Sequence, residues 1–184
     1  MAITRITAPS ITGLVIPNTS INNASLDSVT ALPSGIDTGK VLQYKIVRAE
    51  SQFTTTSVTL AEIDGNLRTT ITPTSASNKI VIRFNCAWID TYAGGTEAIL
   101  SFYRSINGGG YVNMGSADSN TDNVFYNWNA SRFQIFQTFT YIDTNHNTTS
   151  PIIYTPYGRT STSLQTRYGT SDRFSSMEVM EIAN

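Results

Sequence analysis

The residue types that could do chemistry in this chain are few, and their spacing limits what they could do. His146 is the single histidine. It lies in Asp143-Thr144-Asn145-His146-Asn147-Thr148-Thr149-Ser150, where a nucleophilic triad of His146, Asp143 and a serine can be drawn on paper. No Gly-x-Ser-x-Gly elbow accompanies it, so the residue reads as a solvated turn histidine, or as a metal ligand only where several copies meet on an axis. Asp118-Ser119-Asn120-Thr121-Asp122 places oxygen ligands at alternate positions, as calcium loops do. Asn123 stands where the sharp-turn glycine belongs and Asn129 where a bidentate glutamate belongs, so the stretch reads as an Asx-rich loop. Asp90, Glu97 and Asp172 are too scattered for sequence to pair them as glycosidase carboxylates. Asn107-Gly108-Gly109-Gly110 precedes strand-like Tyr111-Val112-Asn113-Met114, which makes it a hairpin and not a phosphate loop. These features predict a protein that is not an enzyme and holds no cofactor or metal.

Aromatic residues offer a different chemistry. Between Gly115 and Ser131 a long polar segment carries Phe125, Tyr126 and Trp128 interleaved with Asn123, Asn127 and Asn129. Aromatic faces flanked by amides suit sugar rings, which present C–H patches and hydroxyls together. The same rings could instead anchor the loop to the core or to a neighbouring subunit. Tyr92, beside Gly94-Gly95, has the same two readings.

The elements that must position these residues are strands. The chain has 184 residues, room for one core and an appendage. Charged residues make up 14%, well below the roughly 25% of an average soluble domain, and the net charge is −1 with no basic run. Nucleic acid and anionic membrane surfaces are therefore not expected partners. One cysteine, Cys86, rules out an intrachain disulfide framework. No stretch has the length or apolarity of a signal peptide or a membrane-crossing helix, so synthesis in a cytoplasm and a soluble protein are expected.

Residues 1–40 form their own class. An apolar residue recurs every fifth position, at Ile6, Ile11, Ile16, Ile21, Leu26, Ala31 and Ile36, among Thr, Ser, Asn, Pro and Gly. Neither helix nor strand has that period. Such a row is too sparse to offset chain ordering alone, so the segment is expected to gain shape only against other chains, as an attachment and oligomerisation arm. A flexible tail, or a short pentapeptide β-helix, are the alternatives.

From residue 41 onward alternation takes over. Val41 to Arg48 sets Leu42, Tyr44 and Ile46 on one face and Gln43 and Lys45 on the other. In Lys79 to Ile89, Ile80, Ile82, Phe84, Cys86 and Trp88 share one face, which must be core. Further strands are expected over 67–72, 97–104 (Ala98, Leu100 and Phe102 inward), 111–114, 133–142, 152–157, 164–168 and 177–182. About nine short strands without helices predict an all-β antiparallel sandwich, jelly-roll-like, over 41–184. The C-terminal Met177, Val179, Met180 and Ile182 should form a paired, buried strand near any subunit axis.

Two segments carry a resemblance: Leu67-Arg68-Thr69-Thr70-Ile71-Thr72-Pro73-Thr74-Ser75-Ala76-Ser77-Asn78-Lys79-Ile80-Val81-Ile82, and Ser176-Met177-Glu178-Val179-Met180-Glu181-Ile182-Ala183-Asn184. With Gly39-Lys40-Val41-Leu42-Gln43 upstream, the layout from residue 36 to 184 resembles virion proteins of aquatic and cyanobacterial phages, usually labelled tail fibre or structural. The resemblance implies a compact β domain, commonly trimeric, behind a slender attachment region, and implies no catalytic residues. The expected function is that of a tail-fibre-type virion protein, with other tail or capsid proteins bound through residues 1–40 and a host-surface glycan as a further partner. A capsid decoration protein or head fibre is the near alternative. A carbohydrate-degrading tail spike is the one from another class.

Overall fold

The computed structural model describes residues 39–115, 123–127 and 131–184, with only the backbone of 123–125. Arm residues Ile6, Ile11, Ile16, Ile21, Leu26 and Ile36, the Asp118 and Asp122 segment, and Trp128 lie outside the described residues, as does the side chain of Phe125.

Twelve strands are present among the described residues: β1 (Val41–Ala49), β2 (Gln52–Thr55), β3 (Ala61–Glu62), β4 (Thr69–Ile71), β5 (Lys79–Thr91), β6 (Thr96–Ile106), β7 (Val112–Asn113), β8 (Asn123–Asn127), β9 (Phe133–Asp143), β10 (Ile152–Thr160), β11 (Thr166–Gly169) and β12 (Ser175–Ile182). The only helical turn described is the 3-10 turn Gly65–Leu67. All pairings are antiparallel. The first sheet runs β1-β12-β5, with β9 on the far edge of β5, and β11-β2 continuing above β12 and β1. The second runs β3 or β4, then β10, β6, and β7 or β8.

Taken as eight main strands, with β3 and β4 as the second and β7 and β8 as the fifth, the sheets read 1-8-3-6 against 2-7-4-5. That is jelly-roll order, and the sandwich expected from alternation is the observed architecture. Ile80, Ile82 and Phe84 of β5 and Met177 and Val179 of β12 face Ala98, Leu100 and Phe102 of β6 and Ile152 and Tyr154 of β10, all buried in one core. The C-terminal strand is paired on both sides, by β1 and β5.

Local chemistry explains the joints. Asn107 (φ 51°) and Gly108 (φ 73°) take the two left-handed positions of the turn after β6, closed by Gly109 N–H donating to Ile106 O at 2.9 Å. Pro156 sits inside a central strand without penalty. Its carbonyl faces the β3–β4 side, accepting from Ile63 N, and pairing on that side skips from Tyr154 to Tyr157, so the missing N–H is not needed there.

Four expectations are corrected. A bulge in β5 sets Ala87 and Trp88 opposite the single residue Phe136, because pairing jumps from Cys86–Gln137 to Ile89–Ile135. Alternation is reset there, so Trp88 turns to the outer face while Cys86 and Ile89 stay in the core. The Ala87 N–H freed by the bulge donates to Ser175 Oγ at 3.1 Å. The segment 115–131 is not one loop, since 123–127 is strand β8, paired with β6. The strands β2 and β3 were not anticipated, both being short and Thr- or polar-rich.

The fourth correction concerns His146, which is buried and not solvated. Its Nε2 lies 2.8 Å from Asn78 O, and Nδ1 lies 3.4 Å from the Thr148 N–H. Both ring nitrogens are thus engaged by backbone. Asp143 is spent elsewhere, accepting from Arg104 Nη1 at 2.6 Å and Tyr154 Oη at 2.9 Å. The triad drawn from sequence does not assemble, and His146 instead pins the 143–150 loop to the turn before β5.

Candidate functional site: the outer face of the long sheet

The first sheet has an outer face whose two ends differ in chemistry. At the lower end, β1 turns the residues opposite to an ordinary amphipathic strand. An apolar row at alternate positions normally faces a core. Here Tyr44 pairs with Met180, whose inward neighbours are Val179 and Glu181, so Leu42, Tyr44 and Ile46 face solvent while Val47 and Ala49 face the core. Pairing continues laterally from Tyr44 to Met180, to Val81 and to Ile142. This rung is a continuous apolar band across four strands. Tyr44 is 50% exposed at one end and Ile142 is 53% exposed at the other. Val41, 51% exposed, and Ile182 extend the band by one rung.

The register of that band is held from the core side by Glu181. This carboxylate is fully buried in β12 and accepts from Thr74 N–H (2.6 Å), Thr74 Oγ1 (2.8 Å), Asn78 Nδ2 (2.6 Å) and Gln43 Nε2 (2.7 Å). Burial pushes its pKa up, but the Asn78 and Thr74 bonds with that of Gln43 outweigh it and hold the group below the usual glutamate value. The two segments on which the family resemblance rests therefore touch in space, along the β5–β12 pairing and through this one side chain.

At the upper end the outer face is aromatic and cationic. Asp90 is fully buried beneath Arg132 and Arg167, each with a nitrogen 2.5 Å from Oδ2, and Gln134 adds a third donor at 3.2 Å. Burial raises the Asp90 pKa, and the Arg132 and Arg167 bonds more than reverse that, so it stays ionised below the ordinary range. Tyr92 packs against both guanidinium groups, 4.6 Å from Arg132 Cζ and 5.7 Å from that of Arg167. One β-strand step away, Trp88 meets Phe136 edge-on at 5.5 Å, and Arg173 lies over both rings at 5.0 and 5.3 Å.

Arg173 separates two shallow clefts. One, about 250 Å³, is lined by Phe136, Phe174, Asn85, Gln137 and Thr138 beside Cys86 and Ala87. The other, about 190 Å³, is lined by Trp88, Gln134, Arg167, Thr170 and Asp172. Trp88 Nε1 and Arg167 Nε, though their residues line the second cleft, are themselves buried and have no hydrogen-bond partner.

The candidate contact residues are thus dispersed. Tyr92 belongs to the aromatic and cationic end of the first sheet, though as a cap on two arginines. Tyr126 is half-buried in β8 of the second sheet, opposite Glu97. Asn127 links the two segments by donating to Ala93 O at 3.2 Å. Sequence reasoning missed Trp88, Phe136, Arg173 and Phe174. A signal existed in β9, where Phe136 and Phe139 stand an odd number of residues apart and cannot share a strand face: Phe139 is buried and Phe136 exposed.

No family model matches the chain, and no curated protein matches it. Among solved structures it is similar to a chain of the structure of infectious bursal disease virus Gx strain, with 12% identity and a TM-score of 0.33 over 78% of this chain. The match covers 38% of that chain, so the present sequence spans well under half of its length.

Proposed function

We propose that the chain is a virion structural protein of the phage tail-fibre type, a homotrimer in which residues 1–40 fasten to other tail or capsid proteins and the jelly roll is presented to the host surface. The observation that carries this reading is the apolar band of Tyr44, Met180, Val81 and Ile142. A half-exposed large apolar side chain gains roughly half of the 1.5–3 kcal/mol of full burial when a partner covers it. A row of them on an edge strand is a liability for a lone subunit and a contact surface in an assembly. A net charge of −1 and a Thr- and Asn-rich composition suit packing between like copies, which then repel one another little. Attachment in this scheme is noncovalent and multivalent, weak contacts on each subunit adding through effective concentration.

The jelly roll also serves capsid and lectin domains, which favours one second reading, a capsid decoration protein or head fibre. Immunogold labelling of purified particles separates tail from capsid. The assembly reading is tested by the mass in solution of the full chain and of the double variant Tyr44→Lys, Ile142→Lys. The full chain should sediment as a multimer, and the variant as smaller species with unchanged far-ultraviolet circular dichroism. A full chain that is monomeric at micromolar concentration refutes it.

A further inference from the structure

The two clefts flanking Arg173 are not explained by assembly through the apolar band. On β5 the band's Val81 and the clefts' Trp88 lie seven residues apart, about 23 Å along a strand at roughly 3.3 Å per residue. We propose that these clefts form a subsite for an acidic glycan, taking two adjacent sugars of which one carries a carboxylate. The proposal deepens the surface-attachment reading above and rests on it.

Four observations define the ligand class. First, Phe136 and Phe174 are each 60% exposed, and with Trp88 they give ring faces on either side of Arg173. Sugar C–H faces pack on such rings. Second, amide and hydroxyl groups rim both clefts, Gln137 and Thr138 in one and Gln134 and Thr170 in the other, within reach of sugar hydroxyls. Third, together the clefts enter the size range of ligand sites, about 300–1,000 Å³.

Fourth, the charge is unbalanced in favour of an anion. Among the described residues that line the clefts, Arg167 and Arg173 stand against one acid, Asp172, which the Thr170 hydroxyl bonds, while the buried Asp90 is engaged by Arg132 and Arg167. Among the described residues the Arg173 guanidinium makes ring contacts but no hydrogen bond or close ion pair. It is an exposed, planar, five-donor group without an acceptor, suited to grip a carboxylate in bidentate fashion. A neutral sugar offers the stacking but not the ion pair. Acidic sugar is therefore favoured over neutral.

The test is isothermal titration calorimetry of the full chain with trigalacturonate and with neutral maltotriose. Trigalacturonate should bind with Kd on the order of 0.1–1 mM per site, at least about tenfold tighter than maltotriose. Its affinity should fall several-fold between about 50 and about 300 mM salt. Arg173→Gln should lose at least about tenfold, and Phe174→Ala and Phe136→Ala about threefold each. All three side chains are solvent-exposed, and unchanged urea midpoints establish that the variants fold. Arg173→Lys, which keeps charge but not the planar fork, should fall between wild type and Arg173→Gln. Absence of binding at about 10 mM, equal affinity for maltotriose, or full affinity in Arg173→Gln each overturns the proposal. Particles that carry the protein while it ignores trigalacturonate would sink only the glycan site. Particles without the protein would sink the virion reading whatever the calorimetry gives.

Discussion

Replacing Glu181 should reveal how much of the fold hangs on one carboxylate. It is a buried charge with no cation among its hydrogen-bond partners, held by Thr74 N–H and Oγ1, Asn78 Nδ2 and Gln43 Nε2 at 2.6–2.8 Å. Hydrogen bonds to a charged group contribute about 1.5–3 kcal/mol each, and a stranded buried donor costs about 1–3 kcal/mol. The four donors are not equal. Asn78 is buried, whereas Thr74 is exposed and Gln43 half-exposed, so the latter two can turn to water when the carboxylate is removed. The cost is therefore set mainly by Asn78 and one or two weakened neighbours: about 3 kcal/mol for Glu181→Ala and about 2 kcal/mol for Glu181→Gln, which keeps one acceptor but opposes an NH2 to a donor.

The pH dependence has a definite sign. Because the folded pKa lies below the ordinary 4.5, the ionised carboxylate stabilises the fold fully above the unfolded value, and that contribution is lost as pH falls through the folded value. Urea unfolding followed by tryptophan fluorescence at pH 7 and at stepwise lower pH measures both. The gap between wild type and Glu181→Gln should be widest at pH 7 and close as pH drops below about 4.5. A Glu181→Gln protein within about 0.5 kcal/mol of wild type at pH 7, or a gap that widens in acid, refutes the reasoning.

Three further outcomes are expected. Gly158→Ala would place a Cβ 2.7 Å from the Tyr168 ring, whose hydroxyl is fixed on Ile99 O and Arg159 O, and should lose about 1–3 kcal/mol; Gly110→Ala, with open space around it, should change the urea midpoint little. Burial pushes the Cys86 thiol up to about 11, so a disulfide reagent at pH 8 should label it only after denaturant unfolds the chain, and fast labelling of the native protein would contradict its placement in the core. Asp90→Asn leaves Arg132 and Arg167 without their shared carboxylate; since Arg132 is about half exposed, the loss should be about 2 kcal/mol and not the larger figure of a fully buried pair, read by urea unfolding.

Strand positions were legible because alternation is a local property: Ile80, Ile82 and Phe84 announce a buried face without reference to any partner. The Asn107–Gly108 turn was legible for the same reason, since it needs only residues that tolerate positive φ. The count and spacing of such segments, with no helical period between them, were enough for an antiparallel sandwich. Candidate site residues were far less legible. Tyr92 was found from its type, yet its role as a cap on Arg132 and Arg167 depends on residues some 40 and 75 positions away, brought together by β9 and β11 pairing with β5.

Sequence alone determined that this chain is built of strands, where most of them run, and that one face of each long strand is core. Only the tertiary structure decided which face where pairing or a bulge overrode the local pattern. In β1, pairing with β12 put Tyr44 and Ile46 outside although their pattern suits a core, because inter-strand register, not a strand's own alternation, assigns its sides. In β5, one extra residue at Ala87–Trp88 turned a tryptophan from core to surface. Burial of Glu181 and of His146 was decided likewise, by hydrogen-bond partners about 100 and 70 residues distant that no local pattern can supply.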